Sequence, residues 1–313
     1  MNNQASAPPK KAKITAEKAP RTGKLSRVKR AERRQVNLFL VPSAVGMLIF
    51  YILPFFVIIF QSLVNNPVKK EFVFLENYKR LLENSAFRQA AWNTVKFSLT
   101  AVPLAVVLSL LLAIILMKNL PGKSKLRTIF LSPMMVPVAS IILIWQVMFH
   151  YNGAVNELVT FFGGSAIDWL KSDYSQLVVV LLFLWKNLGY NMILFMSALS
   201  AIPVDVLEVA TLEGASRMQI FFRIKLRYLS STIMFVMLMS LINSFKIFRE
   251  VYLLTGNYPY DSLYMLQHFM NNVFKNLDYQ KLSAAAIIMA IVMAAIIGLL
   301  FRADNRIEED IEE

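Results

Sequence analysis

The chain has no cysteine among its 313 residues, only two histidines, and only 17% Asp, Glu, Lys and Arg. Without cysteine there is no disulfide framework, no thiolate-held iron–sulfur cluster and no thiol nucleophile. His150 and His268 stand far apart, without acidic residues at metal-ligand spacing, so no zinc site is expected. No Ser-His-Asp or paired-carboxylate order stands out, so no catalytic residue is assigned. Gly122-Lys123-Ser124 has the ending of a phosphate-binding loop, but that motif needs a glycine where Met117 stands and a strand before it. Any ATP hydrolysis is therefore expected from a partner, and no cofactor is expected on this chain.

The scarcity of charge has a positive counterpart. Hydrophobic residues make up 57% of the chain, and mean hydropathy is +0.51. Soluble domains carry about one quarter charged residues, so the composition is that of an all-α integral membrane protein. Residues 1–37 are rich in Lys, Arg, Pro and Ala without apolar periodicity, and read as a basic, disordered cytoplasmic tail. No signal-peptide pattern is seen there. Six apolar segments follow, at about 38–62, 93–117, 127–150, 176–200, 229–248 and 283–302. Each is near the length of about 20 residues that crosses a bilayer. Pro42 and Pro54 interrupt the first, Pro133 and Pro137 the third, and kinks are expected there. Residues 303–313 form an acidic tail.

A net charge of +13 raises the question of nucleic acid. The placement of the cations answers it better as membrane topology, with no nucleic-acid partner. Lys24, Arg27, Lys29 and Arg30 precede the first span, and Lys118, Lys123, Lys125 and Arg127 crowd the second-to-third connection. Arg217, Arg223, Lys225 and Arg227 lie between the fourth and fifth spans. Alternating spans put all three groups on one side, which the positive-inside rule makes cytoplasmic, with both termini. Lys69, Lys70, Lys79, Arg80 and Arg88 dilute the bias in the first outer loop.

The loop from Ala201 to Tyr228 is longer than a simple connection needs. Pro203 suits a first helical turn, and Asp205 and Glu208 favour its positive end. Gly214 is the natural break. Ser216 followed by Gln219 fits a capping box that starts a second helix, and Arg223, Lys225 and Arg227 suit its C-terminal end. Met218, Phe221 and Phe222 give that helix more apolar surface than a solvated linker uses, a face fit to dock on another protein.

Glu208, Ala210, Gly214, Ala215, Gln219 and Phe221, with Ile224 and Leu226, resemble the EAA loop of the membrane subunits of ATP-binding-cassette importers. Val209 stands where that pattern has alanine, and Arg227 where it closes on proline. The resemblance implies a six-span type I importer permease fold, with its core at about 88–302 and a coupling loop at 201–228. It also implies a bacterial inner-membrane location and a second, usually non-identical permease. Two cytoplasmic ATPase subunits holding ATP and Mg, and an extracytoplasmic sugar-binding protein, complete the implied assembly.

Lys186 lies mid-way along the fourth span, where a charge is costly and usually faces a bundle interior or aqueous cavity. Lys246 is close enough to the end of the fifth to snorkel. Trp185, Asn187, Tyr190 and Asn191 surround Lys186, and Ser240, Asn243 and Ser244 make a second polar stripe. Such residues either glue helices together or contact a ligand. Polar groups beside aromatic rings suit a sugar. The segments 132–137, 144–145, 153–156 and 185–190 look like the carbohydrate-type permeases of the maltose, lactose and glycerol-phosphate group. That resemblance carries a sugar-lining role onto Asn187, Tyr190, Ser240 and Ser244. Met134 and Val138 stand where maltose-type members are polar, so maltose itself is not implied. The alternatives are a permease for a non-sugar solute, which would lack this fourth span, and an ion-driven secondary carrier, for which no inverted repeat is evident.

Overall fold

The computed structural model describes residues 40–66, 71–118 and 121–312, with side chains to residue 303. The basic segment 1–37, Lys69, Lys70 and the acidic side chains of the C-terminal segment lie outside them. Two units are distinguished, Met1–Val57 and Ile58–Glu313.

Helix α1 (Leu40–Ser62) holds a π-helical stretch, Leu48–Ile52, shortly before Pro54. Proline has no N–H to donate, and its ring strikes the carbonyl four residues back in a regular helix. The wider π turn accommodates that ring.

In the second unit α2 (Glu76–Glu83) precedes α3 (Ser85–Met117). Helix α3 begins earlier than the apolar run at 93 because the Asn84 side chain accepts from the Phe87 N–H at 3.0 Å, capping a polar first turn. Its buried face carries small residues, Ala90, Ser98, Ala101, Ala105, Ser109 and Ala113. Small residues let membrane helices approach closely, and α3 packs along α7 (Ser175–Ser200).

The third apolar segment is broken instead of kinked. Helices α4 (Lys123–Met135) and α5 (Val138–Met148) meet at 105°. Val136 is extended before Pro137, as a residue preceding proline prefers. Among the described residues five helices are therefore long and apolar enough to cross a membrane, or six crossings if the bent pair counts as one. Helix α4 packs on α7 at Gly189, where an added Cβ would stand 1.8 Å from the Phe130 carbonyl oxygen.

Helix α6 (Ala154–Phe161) follows, and α8 (Val204–Leu212) and α9 (Arg217–Tyr228) make up the 201–228 loop. The fifth crossing joins α10 (Ser230–Phe245) to α11 (Phe248–Thr255). Gln146 of α5 donates to the Leu253 and Leu254 carbonyls at 3.3 and 3.1 Å, supplying partners at the end of α11. Asn93 of α3 donates to the Asp261 and Tyr264 carbonyls before α12 (Leu266–Lys275), and Thr94 accepts from the Leu266 N–H at its start. The last helix, α13 (Tyr279–Glu312), continues well beyond the apolar run that ends near 302. Among the described residues no strand forms beyond the isolated bridge between Val64 and Phe72.

Candidate functional site

The 201–228 loop is built by local signals. Pro203 is the N-cap of α8, one position earlier than expected, and Asp205 lies in the first turn. Gly214 has φ +81°, a left-handed angle that costs glycine little. The Ala215 N–H reaches the Ala210 carbonyl at 3.0 Å and the Gly214 N–H the Thr211 carbonyl at 3.1 Å, a complete Schellman ending. The capping box follows at once: the Gln219 N–H donates to Ser216 Oγ and the Ser216 N–H to Gln219 Oε1. Helix α9 then takes a π register over Ile220–Lys225, so its side chains are spaced differently from the expected α-helix.

This hairpin is anchored at its base and bare at its tip. Ile202 and Leu229 are buried in one core with Leu116, Met192, Phe195 and Val236, and Leu207 packs against it. Leu212 is 87% exposed and Met218 65%, with Val209 and Phe222 exposed beside them. Glu208, Gly214 and Gln219 are exposed too, whereas Ala210 is buried and Ala215 and Phe221 are half-buried, the Phe221 ring edge-on to Phe222.

A cavity of about 690 Å³ lies between α7 and α10. From α7 it is lined by Phe183, Lys186, Asn187 and Tyr190, and from α10 by Met239, Ile242, Asn243 and the Lys246 that follows. Both sets recur three and four residues apart, one face of each helix. Met134, Gln267 and residues 247–250 complete the wall. Asn243 donates to Asn187 Oδ1 at 3.0 Å, and Asn187 donates to the Phe183 carbonyl at 2.8 Å.

The two polar stripes divide between cavity and helix contact. Each residue turns a helix by about 100°, which carries Asn191, Ser240 and Ser244 off the cavity face. Asn191 is buried and donates to Ser240 Oγ at 3.1 Å. Ser244 accepts from Ser98 of α3 at 2.9 Å and donates to the Leu241 carbonyl. Trp185 leaves the cavity to lie 5.5 Å from Trp145, centroid to centroid.

Lys186 forms an ion pair with Glu250 of α11, whose side chain is 6% exposed. Sequence reasoning passed over Glu250, because it follows the fifth apolar run as an ordinary loop charge would. The signal was Lys186 itself, since a cation within a membrane span calls for an acid. Among the described residues His268 is the other buried ionisable group, edge-on to Phe248 with both ring nitrogens lacking a partner. Burial pushes its pKa down to about 4.

A bundle of apolar helices, a polar cavity between two of them, and a bent hairpin joining the same two define a multi-pass membrane permease. The chain belongs to the family of binding-protein-dependent transport system inner membrane components, whose model matches residues 105–312. It is 30% identical over 274 residues to the trehalose/maltose transport system permease protein MalF of Thermococcus litoralis, covering 86% of this chain and 92% of that one. It is 27% identical to the sulfoquinovosyl glycerol transport system permease protein SmoG of Agrobacterium fabrum, over 87% of this chain and 90% of that one. The type I importer fold matches a chain of a bacterial ABC transporter involved in the import of the acidic polysaccharide alginate. That match has a TM-score of 0.77 at 20% identity, over 90% of this chain and 99% of the other.

Proposed function

We propose that the chain is one of two permease subunits of an ATP-driven importer for a sugar or oligosaccharide. Two cytoplasmic ATPase subunits would hold ATP and Mg, and an extracytoplasmic binding protein would deliver the sugar. The named sugar-transport relatives support the substrate class. The cation-rich connections support a cytoplasmic hairpin.

One observation carries the mechanism. The helices that wall the cavity, α7 and α10, are the two that the hairpin joins. Its base is locked into their shared core through Ile202 and Leu229, while at its tip Val209, Leu212, Met218 and Phe222 are left exposed by the described residues. An ATPase that grips the tip would move both cavity walls as rigid bodies. ATP-driven closure would then turn the cavity outward to receive sugar, and release would turn it inward. Polar groups of Asn187, Tyr190 and Asn243 would meet the hydroxyls.

Reconstitution of the chain with its permease partner, ATPases and binding protein in proteoliposomes tests this. ATP-dependent sugar uptake is expected, and omission of the ATPases abolishes it. A Gly214→Cys variant of this cysteine-free chain should react with a membrane-impermeant thiol reagent only from the cytoplasmic side. Uptake without the ATPases, or labelling from outside, would overturn the reading.

A further inference from the structure

We infer that the cavity takes an anionic sugar, one bearing a carboxylate, sulfonate or phosphate; this rests on the carbohydrate reading above. The wall holds three cations, Lys186, Lys246 and Arg249, against one acid, Glu250. Glu250 is committed to Lys186. Among the described residues neither Lys246 nor Arg249 has an acidic partner.

Ordinary explanations cover Lys246 but not Arg249. Cations gather at the cytoplasmic ends of membrane helices, but Lys246 follows α10 at the end remote from the hairpin. A helix C-terminus favours a cation, which accounts for Lys246. Arg249 is the second residue of α11, at the helix end where a cation is disfavoured. Among the described residues it is exposed beside Glu250 without an acidic partner, so an anion held in the cavity would pair with it. A guanidinium fork binds an oxyanion through two parallel hydrogen bonds, and an ammonium adds a point charge. Around them, Asn187, Asn243, Tyr190 and Gln267 offer neutral donors and acceptors for hydroxyls. A volume of about 690 Å³ is within the range of small-molecule sites, about 300–1,000 Å³.

The reconstituted importer is offered neutral, uronate-bearing, sulfonated and phosphorylated mono- and disaccharides, as wild type and as Lys246→Gln, Arg249→Gln, Lys246→Arg and Arg249→Lys. Complexes are first matched for assembly by size exclusion. ATP-dependent uptake is expected to favour charged sugars. Each Gln variant should raise the half-saturating concentration about tenfold or more, the effect of losing one hydrogen bond to a charged group. The charge-keeping variants should lose less. Uptake of neutral sugars alone, or charged-sugar uptake indifferent to both Gln variants, overturns the inference while the importer reading stands. So does an effect seen only in liposomes with anionic lipid, because headgroups would then be the occupant. Absence of ATP-dependent uptake of every sugar overturns the importer reading, and the inference with it.

Discussion

Lys186, in the middle of the fourth crossing, donates its ammonium to the carboxylate of Glu250, 64 positions along the chain. The pair fixes α11 against α7 beside the cavity. Removing one member of a fully buried pair costs about 3–5 kcal/mol, because the other charge is left uncompensated. The Lys186 side chain is 30% exposed, so Glu250→Gln should cost less, about 1–3 kcal/mol. The double variant Lys186→Met/Glu250→Leu should recover much of that loss. Thermal unfolding in detergent of the wild type, Lys186→Met, Glu250→Leu and the double variant gives the coupling energy; additive losses would mean that the two groups do not interact.

Gly189 gives a second test, in which two effects oppose each other. Exchanging glycine for alanine inside a helix ordinarily stabilises by about 1 kcal/mol. Here the new Cβ would lie 1.8 Å from the Phe130 carbonyl oxygen, and backbone cannot turn aside as a flexible side chain does. Overpacking costs about 1–3 kcal/mol, so the contact wins and Gly189→Ala lowers the melting temperature. Gly298, with nothing within 4 Å of an added Cβ, is the control, and Gly298→Ala should not destabilise.

These two contacts mark where sequence reading stops. The apolar runs locate the crossings, and the hairpin was legible to the residue at Gly214 and Ser216, because capping and left-handed angles are local properties. The 105° turn between α4 and α5 was not legible: Pro133 and Pro137 announce a disturbance, but packing sets its angle. The Gly189 approach and the Glu250 partnership depend on other elements and leave no local trace. The polar stripes were visible as stripes. Which member faced the cavity depended on how α7 and α10 are rotated against α3, a tertiary property.

That division can be measured residue by residue. Ser240→Ala and Ser244→Ala remove single interhelical hydrogen bonds, each worth about 0.6 kcal/mol in membrane proteins. They should lower stability slightly and leave the sugar concentration dependence of uptake unchanged. Tyr190→Ala and Asn187→Ala alter the cavity wall and should weaken half-saturation about tenfold, with a smaller effect on unfolding. The reverse pattern would place the sugar on the other face of these helices.

His268 predicts a pH dependence. Its folded pKa is about 4 because burial disfavours the charged ring, against an ordinary value of 6.5. Below pH 6.5 the unfolded chain takes the proton first, so stability falls from about pH 6.5 down to about pH 4 and then levels off. Between pH 7 and pH 5 the loss should be about 2 kcal/mol. His268→Gln should flatten this component of a denaturation series, and an unchanged slope would show that another group is responsible.

The hairpin gives the most direct functional prediction. Gly214→Pro replaces a φ of +81° with a ring fixed near −65°, so the hairpin tip must redirect while its base at Ile202 and Leu229 stays packed. Glu208→Lys inverts an exposed charge, and an exposed substitution of this kind changes stability by only about 0.5 kcal/mol. Both variants should insert into the membrane and keep the cavity, yet lose ATP-driven uptake. Loss of transport in Glu208→Lys at unchanged melting temperature would separate coupling from folding. Normal uptake in either variant would mean that the hairpin does not transmit the work.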